Sequence, residues 1–173
     1  MREASQVRTT EAEKPRALDP VAAGASGFRL KACLELMGLR PSVIRGNGSE
    51  IIALSKASVG VTKFHFQGLD SSLESMEVME AAKTLAQSSG AIVIVSGAVD
   101  IITDGHQVVG ARNGVPMIQK ITATGRDVTA LMLHLLLSIQ AAASALSIFG
   151  IAGEMGMDMA NGPASLYIFC IRQ

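Results

Sequence analysis

Apolar positions in this chain come in two patterns, continuous runs and helical repeats. Residues 91–96, Ala-Ile-Val-Ile-Val-Ser, are a continuous run rich in β-branched side chains. Such a run suits a strand of a parallel sheet, buried on both faces. Ala17 and Leu18, just before Asp19-Pro20, read as the end of another buried strand, and residues 42–44 as a short third one. Elsewhere the apolar residues recur at helical spacing. Residues 28–37 predict a helix, with Gly38 and Pro41 marking its stop. Residues 47–54 predict a short helix. Residues 72–88 predict a longer amphipathic one, with Ser71 and Glu74 spaced as a capping box. Between these two, residues 55–71 read as a loop carrying Gly60 and Gly68. Residues 100–110 predict a hairpin around Asp104-Gly105, and Asn113-Gly114 offers a second turn. Residues 128–137 and 141–153 predict two further helices. Strands and helices alternate without an internal repeat. The expected fold is a layered α/β domain with a mostly parallel sheet flanked by helices. Residues 1–16 are expected to form a flexible segment ahead of a single domain over 17–173.

One stretch invites a different reading. No charged residue lies between Asp127 and Glu154, a length that could span a bilayer. His134, Ser138, Gln140, Ser144 and Ser147 interrupt it, and Gly150 and Gly153 lie near its end. Two buried helices of a soluble core explain the stretch better, and a membrane helix is the weaker alternative. Hydrophobic residues make up 49% and charged residues 17%, which excludes a disordered chain. Lys and Arg number 15 and Asp and Glu 15, and that neutrality argues against nucleic-acid binding. With no Trp, one Tyr and five Phe there is no platform for stacking bases. Cys33 and Cys170 have neither metal-like spacing nor a disulfide framework, and a reducing compartment fits them best. The first sixteen residues lack the apolar core of a signal peptide, and their Glu residues weaken a transit-peptide reading. A cytoplasmic location is expected. The nine Met residues read as core filler. His65, His106 and His134 show no ligand spacing.

The candidate chemistry gathers in four places. Ile121-Thr-Ala-Thr-Gly-Arg-Asp-Val-Thr-Ala-Leu131 reads as a strand end, a small-residue turn and the start of an apolar helix. Unpaired amides and the positive dipole end at such a place suit an anion, usually phosphate. A plain turn with Thr124 as helix cap is the other reading. Arg45-Gly-Asn-Gly-Ser-Glu50 follows a strand. Helix capping accounts for Asn47 and Glu50, but it requires neither Arg45 nor the glycines. Arg45 suits a nucleotide phosphate, and Glu50 a magnesium ion held through water. Asp19 is either a turn-forming Asp-Pro residue or a carboxylate that helps hold magnesium. Ser96 either ends its strand or meets a ligand, with Gly97 allowing close approach. Ligands of α/β sheets gather at the carboxyl ends of strands. Asp19, Arg45, Ser96 and the 122–125 turn would all lie at such ends and share one site.

Taken in order, Leu18-Asp-Pro-Val-Ala-Ala-Gly-Ala-Ser-Gly-Phe-Arg29, Val43-Ile-Arg-Gly-Asn-Gly-Ser-Glu-Ile51, Ile94-Val-Ser-Gly-Ala-Val-Asp-Ile-Ile-Thr-Asp-Gly105, the 121–131 stretch and Gly162-Pro-Ala-Ser165 resemble the hydroxyethylthiazole kinase family. The resemblance runs from about Lys14 to Leu166. It implies a ribokinase-like fold and ATP-dependent phosphorylation of the hydroxyl of 4-methyl-5-(2-hydroxyethyl)thiazole, in thiamine biosynthesis or salvage. It implies Asp19 and Glu50 as the magnesium pair, and Arg45, Asn47, Ser96 and Gly125 as ATP contacts. It implies Ala123 as a substrate contact, and a homo-oligomer, a trimer with active sites between subunits. Two departures from the family stand out. Its N-terminal part, which carries much of the thiazole pocket, has no counterpart here, so the chain is expected to be N-terminally truncated. The family's cysteine in the anion turn is Arg126. Arginine takes no proton at neutral pH, because its pKa stays above about 12, yet it can neutralise charge on a phosphoryl group in transfer. Asp127 points about 100° away around a helix and does not inherit the base role. The alternative expectation is therefore a catalytically impaired nucleotide-binding remnant or a regulatory subunit.

Overall fold

The continuous β-branched runs build the centre of the molecule. A computed structural model describes residues 14–60, 71–112, 114–115, 117, 129–131 and 138–172, with 71–74 and 169–172 described by their backbone. Five strands form one sheet in the order β1 (Ala17–Leu18), β2 (Val43–Asn47), β3 (Ile92–Ser96), β4 (Asp100–Thr103) and β5 (Val108–Ala111). The first three strands run parallel, and β4 and β5 extend the sheet as an antiparallel hairpin. Helices α1 (Gly27–Met37), α2 (Gly48–Ser58), α3 (Ser71–Ser89), α4 (Ile139–Met157) and α5 (Pro163–Arg172) surround it.

The pleat sends alternate side chains to opposite faces, and each face has its own core. Leu18, Ile44, Val93 and Val95 pack with Cys33 of α1, Ile51 and Leu54 of α2, and Ala82, Leu85 and Ala86 of α3. Val43, Ile94 and Ile102 pack with Ile139, Ala142, Ala145 and Leu146 of α4. Burial on both faces explains the unbroken apolar run of β3. The same need explains much of the uncharged stretch before Glu154, since α4 packs on that second core. No helix among the described residues is long and apolar enough to cross a membrane.

Several elements run past their expected bounds. Strand β2 continues to Asn47 because it pairs with β3 along its whole length. Helix α2 runs to Ser58 and α4 to Met157, because both stay docked on the core beyond their most apolar segments. The expected hairpin around Asp104-Gly105 is present, with a four-residue loop and Gly105 at φ +93°. Asp104 Oδ1 accepts the N–H groups of His106 and Gln107, 2.8 Å each, and these bonds hold its carboxyl below the usual range. Residues 163–172 form a helix that no sequence signal had announced. Pro163 is its first residue, where a missing N–H costs nothing. The Met residues divide. Met37 packs against the core, but Met76, Met155 and Met159 are exposed, so core filling does not account for them all. The expected Ser71 and Glu74 capping box lies outside the described side chains.

Candidate active site at the carboxyl edge of the sheet

Strands β1, β2 and β3 end side by side, with Leu18 beside Ile44 and Asn47 beside Ser96. Asp19 follows β1 directly, Asn47 and Ser96 are terminal residues, and Arg45 sits two residues inside the end of β2. Four of the expected site residues thus meet at one edge, and Glu50 joins them from the first turn of α2. The pleat then divides them between the two faces.

On the face of α1, α2 and α3, Glu50 is fully engaged. Its Oε2 accepts the Asn47 N–H at 2.9 Å, and Asn47 Oδ1 accepts the Glu50 N–H at 2.9 Å, a complete capping box. Its Oε1 reaches across the edge and accepts the Ala22 N–H at 2.8 Å. One carboxylate therefore ties the start of α2 to the loop after β1. That loop is bent at Ala22, whose φ is +56°, and Pro20 within it is buried. Gly46 makes the arrangement possible. A Cβ there would lie 3.1 Å from Glu50 Oε2 and 3.2 Å from both Glu50 Cβ and Pro20 Cγ. Capping predicted half of this geometry. The Ala22 bond and the clearance over Gly46 depend on segments far apart in sequence, and no local signal marks them.

On the face of α4 the polar groups are unfinished. Arg45 pairs with Ile94 across β2 and β3, so its side chain leaves the sheet on the same side as Val43 and Ile94. Ser96 follows Ile94 on that side. The Arg45 Nε and Ser96 Oγ atoms are both buried without a hydrogen-bond partner. Buried polar groups are nearly always paired, and each orphan calls for an explanation. Two such orphans on neighbouring strands at one edge could both be satisfied by hydrogen-bond acceptors of a ligand. Burial pulls the Arg45 guanidinium below its usual value, while Asp100, Asp19 and Glu50 oppose that shift.

Asp100 was missed by sequence reasoning. It lies on β4 two residues before Ile102, and Ile102 pairs with Ile94. Arg45, Ser96 and Asp100 therefore project from one face of three adjacent strands. Asp100 Oδ1 accepts the Gly97 N–H at 3.0 Å and fixes the turn after Ser96. Burial raises its pKa, against the Gly97 bond and Arg45. Asp-x-x-x-Asp spacing carries no signal for this role, which needs the register of β3 and β4. Cys33, buried behind the edge, has its thiol pKa raised first by burial, with Glu50 and Asp19 adding to the rise and Arg29 opposing it. Ala123, Gly125 and Arg126, with the rest of the expected anion turn, lie outside the described residues.

A five-stranded mixed sheet with helices on both faces places the chain in the ribokinase-like fold class. The solved ADP complex of Bacillus subtilis pyridoxal kinase shares the fold, with a TM-score of 0.58 at 22% identity over 87% of this chain and 57% of that one. The solved hydroxyethylthiazole kinase protein of Pyrococcus horikoshii is more similar, with a TM-score of 0.79 at 30% identity over 99% of this chain and 64% of that one. The sequence profile of the hydroxyethylthiazole kinase family matches residues 1–171, and the chain belongs to that family. It is 58% identical to hydroxyethylthiazole kinase of Arabidopsis thaliana over 97% of its own length and 59% of the relative's. The maize relative is likewise covered over 59% of its length, so this chain spans about three fifths of these plant relatives.

Proposed function

We propose that this chain takes part in ATP-dependent phosphorylation of the hydroxyl of 4-methyl-5-(2-hydroxyethyl)thiazole. The observation that carries the nucleotide half of this reading is the pair of orphaned atoms, Arg45 Nε and Ser96 Oγ. Phosphate oxygens satisfy both, and a guanidinium binds phosphate with charge-assisted bonds. The thiazole half rests on membership of the family. Asn47 and Gly125 contribute to the nucleotide site in this reading, and Ala123 touches the alcohol.

Magnesium fits the donors present without a protein cage. Among the described residues no three or more His, Cys, Asp or Glu side chains gather as a metal group. Magnesium ordinarily takes one or two carboxylates and completes its shell with water and substrate phosphates. Asp19 and Glu50 would hold it, since each Glu50 oxygen keeps a lone pair beyond its backbone bond. Bound there, the ion supplies positive charge to the phosphates. Arg45 orients the nucleotide from its buried position, and the Ser96 hydroxyl donates a hydrogen bond to the same group. The reading also includes a cytoplasmic homotrimer.

Arg126 supports a second reading, a nucleotide-binding chain with impaired turnover, because it stands where the family has a cysteine and cannot serve as a base. Loss of a general base typically costs on the order of 10²–10⁴ in rate. One experiment separates the two, a coupled ADP-release assay with the thiazole alcohol beside a nucleotide titration. Turnover with saturation in both substrates supports the kinase. Nucleotide binding without turnover supports the second reading, and the absence of nucleotide binding removes both.

A further inference from the structure

The kinase reading leaves Asp100 without a task. Its bond to the Gly97 N–H explains an oxygen acceptor at this position but not a charge. An Asn side chain would accept the same bond. It would also escape the burial that here disfavours the ionised carboxyl. The charge is nevertheless placed on the sheet face of Arg45, a buried cation. Among the described residues Asp19 and Glu50 also oppose the shift of Arg45, and Asp100 adds a carboxylate on the guanidinium's own sheet face. The added charge opposes the approach of bare polyphosphate. The negative charge of Asp19 and Glu50 is offset when a divalent ion accompanies the nucleotide. Asp100 belongs to a different strand, on the opposite side of Ser96 from β2.

We propose that Asp100 is a selectivity residue of the nucleotide site. Its carboxylate, on the same sheet face and edge as Arg45 and Ser96, bars nucleotide that arrives without a divalent cation. Asp100 does so by charge alone and takes no part in binding the metal. Repulsion by one unit charge in partly buried surroundings acts most strongly on the most negative ligand. Metal-free ATP carries more negative charge than its magnesium complex, so Asp100 widens the gap between the two. The inference rests on the kinase reading, because it takes the ligand of Arg45 and Ser96 to be a nucleotide.

The test is calorimetric titration of the full chain with ATP, once in excess magnesium and once in EDTA. Asp100→Asn keeps the acceptor for the Gly97 N–H and removes the charge. In EDTA its affinity should rise about tenfold over wild type, and in magnesium by about threefold or less. The ratio of the two affinities then narrows, an effect that a purely structural role would not produce. Asp100→Ser, a second neutral acceptor, should narrow it in the same direction. An unchanged ratio in a folded Asp100→Asn protein overturns the proposal and leaves the kinase reading intact. No ATP binding by wild type, even with magnesium, overturns the kinase reading and this proposal together. Failure of both variants to fold would show that the charge serves the fold and would also overturn it.

Discussion

The two faces of the sheet edge differ in how far the protein satisfies its own polar groups. Glu50, over Gly46 on the face of α1 to α3, has both oxygens occupied by backbone N–H groups from two segments. Arg45 and Ser96, on the face of α4, each keep a buried polar atom unpartnered. Both Glu50 oxygens bind the backbone and keep a lone pair each for the proposed metal, whereas Arg45 Nε and Ser96 Oγ make no bond to the protein. Changes at Glu50 should therefore lower stability as well as metal binding, and changes at Arg45 and Ser96 should appear first in nucleotide binding.

The largest expected effect tests the open face. Arg45→Ala should weaken ATP binding by about 1.5–3 kcal/mol, the range for hydrogen bonds to charged groups. Titration of nucleotide checks this, and equal affinity in wild type and variant would end the contrast between the faces. Next comes the closed face. Glu50→Ala strips the partner from the Ala22 and Asn47 N–H groups and should cost about 1–3 kcal/mol of stability. Glu50→Gln should recover only part of that loss, because an amide offers one oxygen where the site uses two. Chemical denaturation of the three proteins measures the series, and a Gln variant as stable as wild type would show that one of the two bonds contributes nothing. Ser96→Ala should be milder. It removes an orphaned hydroxyl, so stability should hold or rise slightly, while ATP affinity falls by about 0.5–1.5 kcal/mol. A loss of stability larger than the loss of affinity would place Ser96 with the structural group.

The smallest effect concerns pH. Burial leaves Asp100 holding its proton more tightly in the folded chain than at its ordinary 3.8. Between those two values the folded state binds more protons than the unfolded one. Stability attributable to this group therefore falls as pH rises through the window, and it is level above it. Asp100→Asn removes that slope. Denaturation midpoints across the acid range compare the two proteins, and parallel curves would show that the carboxyl is not burdened by its surroundings.

Much of the fold was legible because its causes are local. The β-branched run at 91–96 and the helical repeats at 28–37 and 72–88 carry their own periodicity. The Asn47-x-x-Glu50 cap is complete within four residues. Asp104-Gly105 marks its turn through backbone preferences of the residues themselves. The motif order from Leu18 to Gly105 likewise carried the family, because residue identities in sequence are what a family shares. The division of the edge into a closed and an open face has no such local cause. It follows from the register of β2 on β3 and of β3 on β4, which puts Arg45, Ser96 and Asp100 in one row and turns Gly46 toward Glu50. A one-residue slip in either pairing would send each side chain to the other face. The chain alone thus determined which elements form and which polar residues reach the strand ends. Tertiary structure decided which of those residues are satisfied by the protein and which are left for a ligand, because hydrogen-bond satisfaction depends on neighbours from distant segments.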